Sequence, residues 1–404
     1  MKIRGVFIVL LLAGCLFLTG TNGWAGEVRG VTDKTVKLAC LIDLSGPGKY
    51  GGPPIVDAFK DYVAWVNDTG GIHGRKIDML YEDNGILPTP TMAAARKVIL
   101  KDEVLAIAFN LGSAGTSAIL PLCEENKAVL MPHGANKHFY SPGNKWVFVP
   151  HTVQFSMASR AVEYILEKNP RARIGIIYQD DDFGLEGLEG ARAAAAFMKT
   201  QLVKEAPYKV GTIDFSPHMT AMKEAKADAL VLWTYLPQSA AVIKERAKMG
   251  WDVSLISNNT TGVPPLFALV GDLAEGYMLV TPYAPVHTDV PGMKMVRDLN
   301  KKYGNPEKTL ANPAYPDYLY LAAWGYITAM VEGLRKAGPG LNPETLVKGL
   351  ESISNFDMGG ICPNLTFGPK RHVSSFSSLV LRADAKSKKL MIVDPIKDPK
   401  TPQD

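Results

Sequence analysis

Apolar residues in this chain fall into short runs alternating with helical patterns, and the clearest case begins at Val104. Val104 to Phe109 is a continuous apolar run that predicts a buried strand, and Gly112 to Gly115 is a loop of small residues. From about Thr116 the spacing turns helical and stops near Asn126. Ala128 to Met131 predicts a second buried strand, which ends in a polar loop, Pro132 to Lys137. Strand, helix and strand at this spacing form a right-handed parallel unit. Both loops then leave the carboxyl ends of neighbouring strands, where open α/β sheets bind ligands.

The same alternation precedes and follows this unit. Val36 to Asp43 predicts a strand, and Pro54 to Asn67 a helix with Ile55, Ala58, Phe59, Tyr62, Val63 and Val66 on one face, closed by Gly70-Gly71. A strand at Lys76 to Tyr81 and a helix at Met92 to Lys101 come next. Trp146 to Val149 ends the first run, and His151 to Gln154 reads as a crossing. The pattern then restarts with a helix at Met157 to Lys168, a strand at Ala172 to Tyr178 and an alanine-rich helix through Lys199. Strands follow at Ala227 to Trp233, Val253 to Ile256 and Tyr277 to Val280, with a helix at Pro237 to Met249. Thr281 to Val290 reads as a return crossing and Tyr315 to Leu334 as an apolar helix. Ser377 to Leu381 and Lys389 to Val393 read as strands joined by a polar turn. Tyr50-Gly51 and Phe183-Gly184 each follow a strand and lead into a helix, a weak internal echo. The expectation is an α/β protein of two similar lobes.

The Gly112–Gly115 loop opens a helix, where free N–H groups and the helix dipole favour an anion. Ser113 and Thr116, with the backbone around Ala114, are candidates to hold a carboxylate, with Gly134, Ala135 and Asn136 as the adjacent wall. The plainer alternative has Ser113 and Thr116 only capping the helix. Trp233 and Tyr235 end a strand of the second lobe and are candidate aromatic walls. Gly46-Pro-Gly-Lys-Tyr-Gly51 is a literal GxGxxG between a strand and a helix. Pro47 removes a donor from that turn and Pro53-Pro54 intervenes before the helix, so a tight turn presenting Tyr50 is the better reading. His133 and His138 lack a helical metal-binding spacing, Asp180-Asp-Asp182 lacks the rest of a calcium loop, and there is no P-loop or nucleophile elbow. We expect no metal and no cofactor.

Composition narrows the picture. The 404 residues are 47% hydrophobic and 21% charged, as expected of globular domains. Lys2 and Arg4 precede a 13-residue apolar stretch, Val6 to Leu18, and Gly23-Trp-Ala25 resembles a cleavage site, so residues 1–25 read as a signal peptide. Leu12-Ala-Gly-Cys15 also resembles a lipoprotein box, which leaves a lipid anchor at Cys15 open beside ordinary export to the periplasm. Without residues 1–25, 42 basic side chains face 40 acidic ones, which offers no footprint for nucleic acid. Cys40, Cys123 and Cys362 allow at most one disulfide.

Several motifs converge on one family: Asp43-Leu-Ser-Gly-Pro with Tyr50-Gly51, Gly70-Gly-Ile-His-Gly-Arg-Lys76, the Gly112–Thr116 loop, Tyr164-Ile-Leu-Glu-Lys168 and Phe183-Gly184. From about Val36 to beyond Tyr318 the chain resembles the periplasmic solute-binding proteins of the branched-chain amino acid ABC importers, type I fold. The resemblance implies two Rossmann-like lobes with parallel sheets, joined by three hinge crossings and closing on a small solute. It implies a non-enzymatic, monomeric receptor whose partners are an ABC permease and its ATPase. Lobe 1 would take residues 31–153 with the return segment 285–350, and lobe 2 residues 154–284 with 351–395. In the family, positions matching Ser113, Gly134 and Asn136 bind the ligand carboxylate, and aromatics at Tyr50, Phe183 and Tyr235 line the side-chain pocket. Amino-acid binders tend to carry an acid in the loop matching Ser257–Thr261, where this chain offers Asn258 and Asn259. An ammonium group buried there would lack an anionic partner, so Asn259 points to an organic or aromatic acid or an amide. Alternatives are a ligand-sensing subunit of a signalling receptor, or a dinucleotide-dependent enzyme using Gly46–Gly51.

Overall fold

A computed structural model describes residues 28–46, 48–134, 136–140, 144–262, 264–304 and 317–403. The expected signal peptide, Cys15, Pro47 and Ala135 lie outside the described residues.

The first part of the chain runs β1 (Thr35–Ile42), α1 (Gly52–Asp68), β2 (Lys76–Asp83), α2 (Pro88–Arg96), β3 (Ala106–Leu111), α3 (Ser113–Glu125) and β4 (Val129–His133). Its strands form a parallel sheet in the order β2-β1-β3-β4. β1 from Leu38 to Ile42 and β3 from Ala106 to Phe109 are unbroken apolar runs, all buried, because helices cover both faces of such a sheet. Prolines in the first turn of α1 cost the helix no backbone bond, and its predicted apolar face is buried.

A short α4 (Lys137–Tyr140) and β5 (Val149–Thr152) lead to the second part. There α5 (Gln154–Lys168), β6 (Ile174–Gln179), α6 (Asp182–Phe197), β7 (Lys204–Tyr208), α7 (Ser216–Glu224), β8 (Ala229–Trp233), α8 (Leu236–Lys248), β9 (Ser254–Ser257), α9 (Pro265–Val270) and β10 (Met278–Thr281) follow in turn. The chain closes with α10 (Pro291–Tyr303), α11 (Asp317–Ala337), α12 (Pro343–Glu351), β11 (Val373–Ser375), β12 (Ser378–Asp384) and β13 (Lys389–Lys397). The second sheet has seven strands in the order β13-β12-β10-β9-β8-β6-β7, parallel except where β12 joins β10 and β13. β5 pairs with β11, a two-stranded link between distant parts of the chain.

β7, α7, α10 and α12 escaped the sequence pattern. β7 carries Pro207, which a strand interior rejects, but β7 is an edge strand and has room for it. α11 is apolar all round because α1, α12, β3 and β5 all pack against it, so its hydropathy comes from burial. Among the described residues no helix is long and apolar enough to cross a membrane. The polar tail is tied down: Glu163 of α5 accepts the backbone N–H groups of Lys400 and Thr401, and Arg160 pairs with Asp394. Cys40, Cys123 and Cys362 are buried free thiols, so the one disulfide they could have made is not formed.

Candidate functional site

A cleft of about 480 Å³, counted out to open solvent, lies between the carboxyl ends of the two sheets. Its wall takes Gly48, Tyr50 and Gly51 after β1, Ile86 after β2, Leu111, Gly112 and Ser113 around the start of α3, and His133 and Gly134 at the end of β4. Gln154 opens α5, Phe183 opens α6, Tyr235 precedes α8, Thr260 follows β9, and Leu319 comes from α11. Apart from Leu319, every one of these sits where a strand hands over to a helix or a helical turn. The topology concentrates helix N-termini, and hence partial positive charge, on this cleft.

Gly112 has φ +102, a left-handed turn that brings α3 directly off β3. Ser113 is the first residue of that helix, and its Oγ donates to the Gly134 carbonyl at 3.1 Å. The backbone N–H groups of Ser113, Ala114 and Gly115 have no carbonyl one turn back to bond. No side chain caps this end, so the capping alternative for Ser113 and Thr116 is not what the structure contains. Thr116 donates to the Gly112 carbonyl at 2.9 Å and accepts from Asn110, which turns its hydroxyl into the protein and away from the cleft wall.

Of the sequence candidates, Tyr50, Ser113, Gly134, Phe183 and Tyr235 come together on the wall. The Phe183 and Tyr235 rings stack at 4.8 Å, and Trp233, fully buried, stands 6.3 Å from Phe183 and off the wall. Ala114, Asn136 and Asn259 are also off the wall. Asn136 is buried with Oδ1 lacking a hydrogen-bond partner among the described residues. Asn259 is fully buried, neither amide atom has a partner there, and its turn offers Thr260 to the cleft instead. A turn of 3₁₀ helix over Asn259–Thr261 sets which side chain faces inward, and the loop expected from sequence does not specify that.

His133, Gln154 and Thr260 are wall residues that sequence reasoning did not select. Each is an early polar residue beyond an apolar strand, and that position was the usable signal. His133 Nε2 lies 3.0 Å from the Tyr318 hydroxyl, and its ring stacks on Phe109. Burial, then the neighbouring His151, push His133 well below the usual imidazole range. Burial holds His151 down at about 4, partly offset by its Nδ1–H donating to the Thr152 carbonyl. The described wall therefore contains no charged side chain at neutral pH.

The GxGxxG loop has its amides engaged. The buried carboxylate of Asp43 accepts the N–H groups of Gly46 and Gly48, and a carboxylate seated there opposes phosphate. Across the cleft mouth, Ser117 Oγ donates to Asp182 Oδ2 at 2.5 Å and the Lys137 N–H to Glu186 Oε2 at 3.2 Å. Among the described residues no group of three potential metal ligands assembles.

Comparison with known proteins agrees with this architecture. The sequence profile described as "Periplasmic binding protein" matches residues 35–388. The Leu/Ile/Val-binding protein of Escherichia coli K12 is 25% identical over 296 residues, covering 72% of this chain and 77% of its own. A fatty acid ABC transporter substrate-binding protein from Thermomonospora curvata superposes with a TM-score of 0.82 at 26% identity, covering 93% of this chain and 95% of its own. A branched-chain amino acid ABC transporter structure from Thermus thermophilus with bound valine superposes at 0.81 and 20% identity, covering 92% and 98%. With the profile spanning most of the chain and whole-chain superposition at TM-scores of 0.82 and 0.81, this chain belongs to the periplasmic binding protein family, type I, on its branched-chain amino acid branch.

Proposed function

We propose that the protein is a periplasmic receptor that captures a small carboxylate-bearing solute between two closing lobes and delivers it to an ABC permease and its ATPase. The observation that carries this reading is the cleft itself, with Ser113 and the open N-terminus of α3 on one wall and no charged side chain on any described wall. Free helix N–H groups suit a carboxylate. An ammonium group would meet no carboxylate on the described wall, which favours an organic acid, aliphatic or aromatic, or an amide. The three relatives above are named for branched-chain amino acids or a fatty acid, ligands that share a carboxylate, the group this wall suits best. The protein acts as a monomeric binding protein and not as an enzyme.

The lobe division follows sheet membership. β10, β12 and β13 complete the second sheet, while α10 and α11 pack on α1. This supports lobe 1 as 31–153 with 285–350 and lobe 2 as 154–284 with the β12–β13 end of 351–395, whereas β11, paired with β5, and Phe367, packed on Phe148, favour lobe 1 for the start of that last segment.

The test is a thermal-shift screen of residues 26–404 against amino acids, aliphatic and aromatic carboxylates, and amides, since a ligand of the folded state raises the melting temperature. Stabilisation by acids lacking an ammonium supports the reading. Stabilisation by α-amino acids alone refutes the ligand class and leaves the receptor standing.

A further inference from the structure

Two polar side chains on the cleft wall lie outside the carboxylate-binding arrangement. Gln154 is 1% exposed and His133 is 3% exposed, and both line the cleft. Gln154 Oε1 and His133 Nδ1 have no hydrogen-bond partner among the described residues. Around the His133 ring stand Phe109 at 5.3 Å, Tyr326 at 5.6 Å and His151 at 4.9 Å, centre to centre, and His151 Nε2 likewise has no partner among the described residues. Tyr318 occupies the other ring nitrogen of His133 and fixes the ring's orientation.

Such atoms discriminate between solutes. Both atoms are already buried and unpaired, so a solute that pairs with them relieves a standing cost, whereas one that offers them nothing leaves it in place. The solute's group must be a hydrogen-bonding one, because Oε1 and Nδ1 are polar. It must be neutral, because no carboxylate or cation on the described wall would compensate a charge.

We propose that Gln154 and His133 are specificity-determining residues that select a solute carrying a neutral hydroxyl or amide in addition to its acidic group. This rests on the cleft being the solute site, as in the proposed function. Gln154 stands on the crossing from β5 into α5, where closure of the lobes would bring it against the solute.

The experiment is titration calorimetry of the mature protein with matched probes. Phenylacetate is compared with the three hydroxyphenylacetates, butanoate with its hydroxylated forms, and phenylacetamide with the hydroxyphenylacetamides. At least one hydroxylated probe should bind about tenfold or more tighter than its parent, the scale of one buried hydrogen bond. In Gln154→Leu, which keeps side-chain bulk, that ratio should fall towards one. His133→Phe, which keeps the ring packing on Phe109, gives an independent second variant with the same expected collapse. Equal binding of parent and hydroxylated probes overturns the pair and keeps the receptor reading, as does a ratio untouched in both folded variants. Binding of hydroxylated amides without acids overturns the carboxylate reading and keeps the pair. Binding of no probe overturns both.

Discussion

Gly134→Ala isolates the contact that shapes the Ser113 wall. Gly134 has φ +84, where an alanine costs roughly 1–2 kcal/mol relative to the right-handed region. A methyl group there would stand 2.9 Å from Ser113 Oγ, closer than side-chain carbons approach oxygen. The hydroxyl must then leave the Gly134 carbonyl it now bonds at 3.1 Å, which adds about 0.5–1.5 kcal/mol. The expected loss is about 2–3 kcal/mol in urea unfolding, together with weaker solute binding. The two contributions separate in a double-mutant cycle with Ser113→Ala, because removing Oγ abolishes the collision and leaves the backbone strain. The cycle should show a coupling of about 1 kcal/mol, with the double variant less damaged than the sum of the singles. Additivity within about 0.5 kcal/mol would refute the argument, since residues without a shared contact behave that way.

Three further outcomes follow from buried groups. Glu186 is pushed up to about 8, chiefly by burial, with the Lys137 N–H opposing and Glu189 and Asp182 adding to the rise. Its native carboxyl therefore holds a proton that the unfolded chain has released above about 4.3, so stability should fall as pH rises between about 4.3 and 8, by up to about 1.4 kcal/mol per unit within that window. Urea midpoints at several pH values should show this slope, and a slope kept in Glu186→Gln would remove Glu186 as its cause. Burial raises the thiols of Cys123 and Cys362 to about 12 and that of Cys40 well above the usual thiol range, so an alkylating reagent should label none of the three in the native protein and all three in urea; native labelling refutes this. Asn259→Leu should raise unfolding stability by about 1 kcal/mol by removing an unpaired buried amide. Solute affinity should be unchanged, because Asn259 is off the wall, and weakened binding in calorimetry would place it back on the wall.

The sequence by itself determined the layered α/β architecture and the place of the site. Continuous apolar runs such as Val104–Phe109 can be satisfied only by a strand covered on both faces. Parallel connectivity then sends every following loop to the same edge, so the loops of Tyr50, Ser113 and Gly134 were legible as neighbours from spacing, while Phe183 and Tyr235, which follow strands of the other sheet, were joined to them only through the family resemblance. Which side chains turn inward was decided by tertiary structure. Thr116 lies three residues from Ser113, yet its hydroxyl is spent on Gly112 and Asn110. Asn259 and Thr260 exchange roles through a single turn, and Trp233 backs Phe183 without reaching the cleft. β7 was hidden by Pro207 until the sheet order showed it at an edge. His133 and Gln154 come from separate segments, one ending β4 and one opening α5, and only the folded chain sets them on the same wall. Strand periodicity is a local property carried by each residue and its near neighbours. The direction of a polar side chain depends on what stands opposite it, and that is supplied by residues far away in sequence.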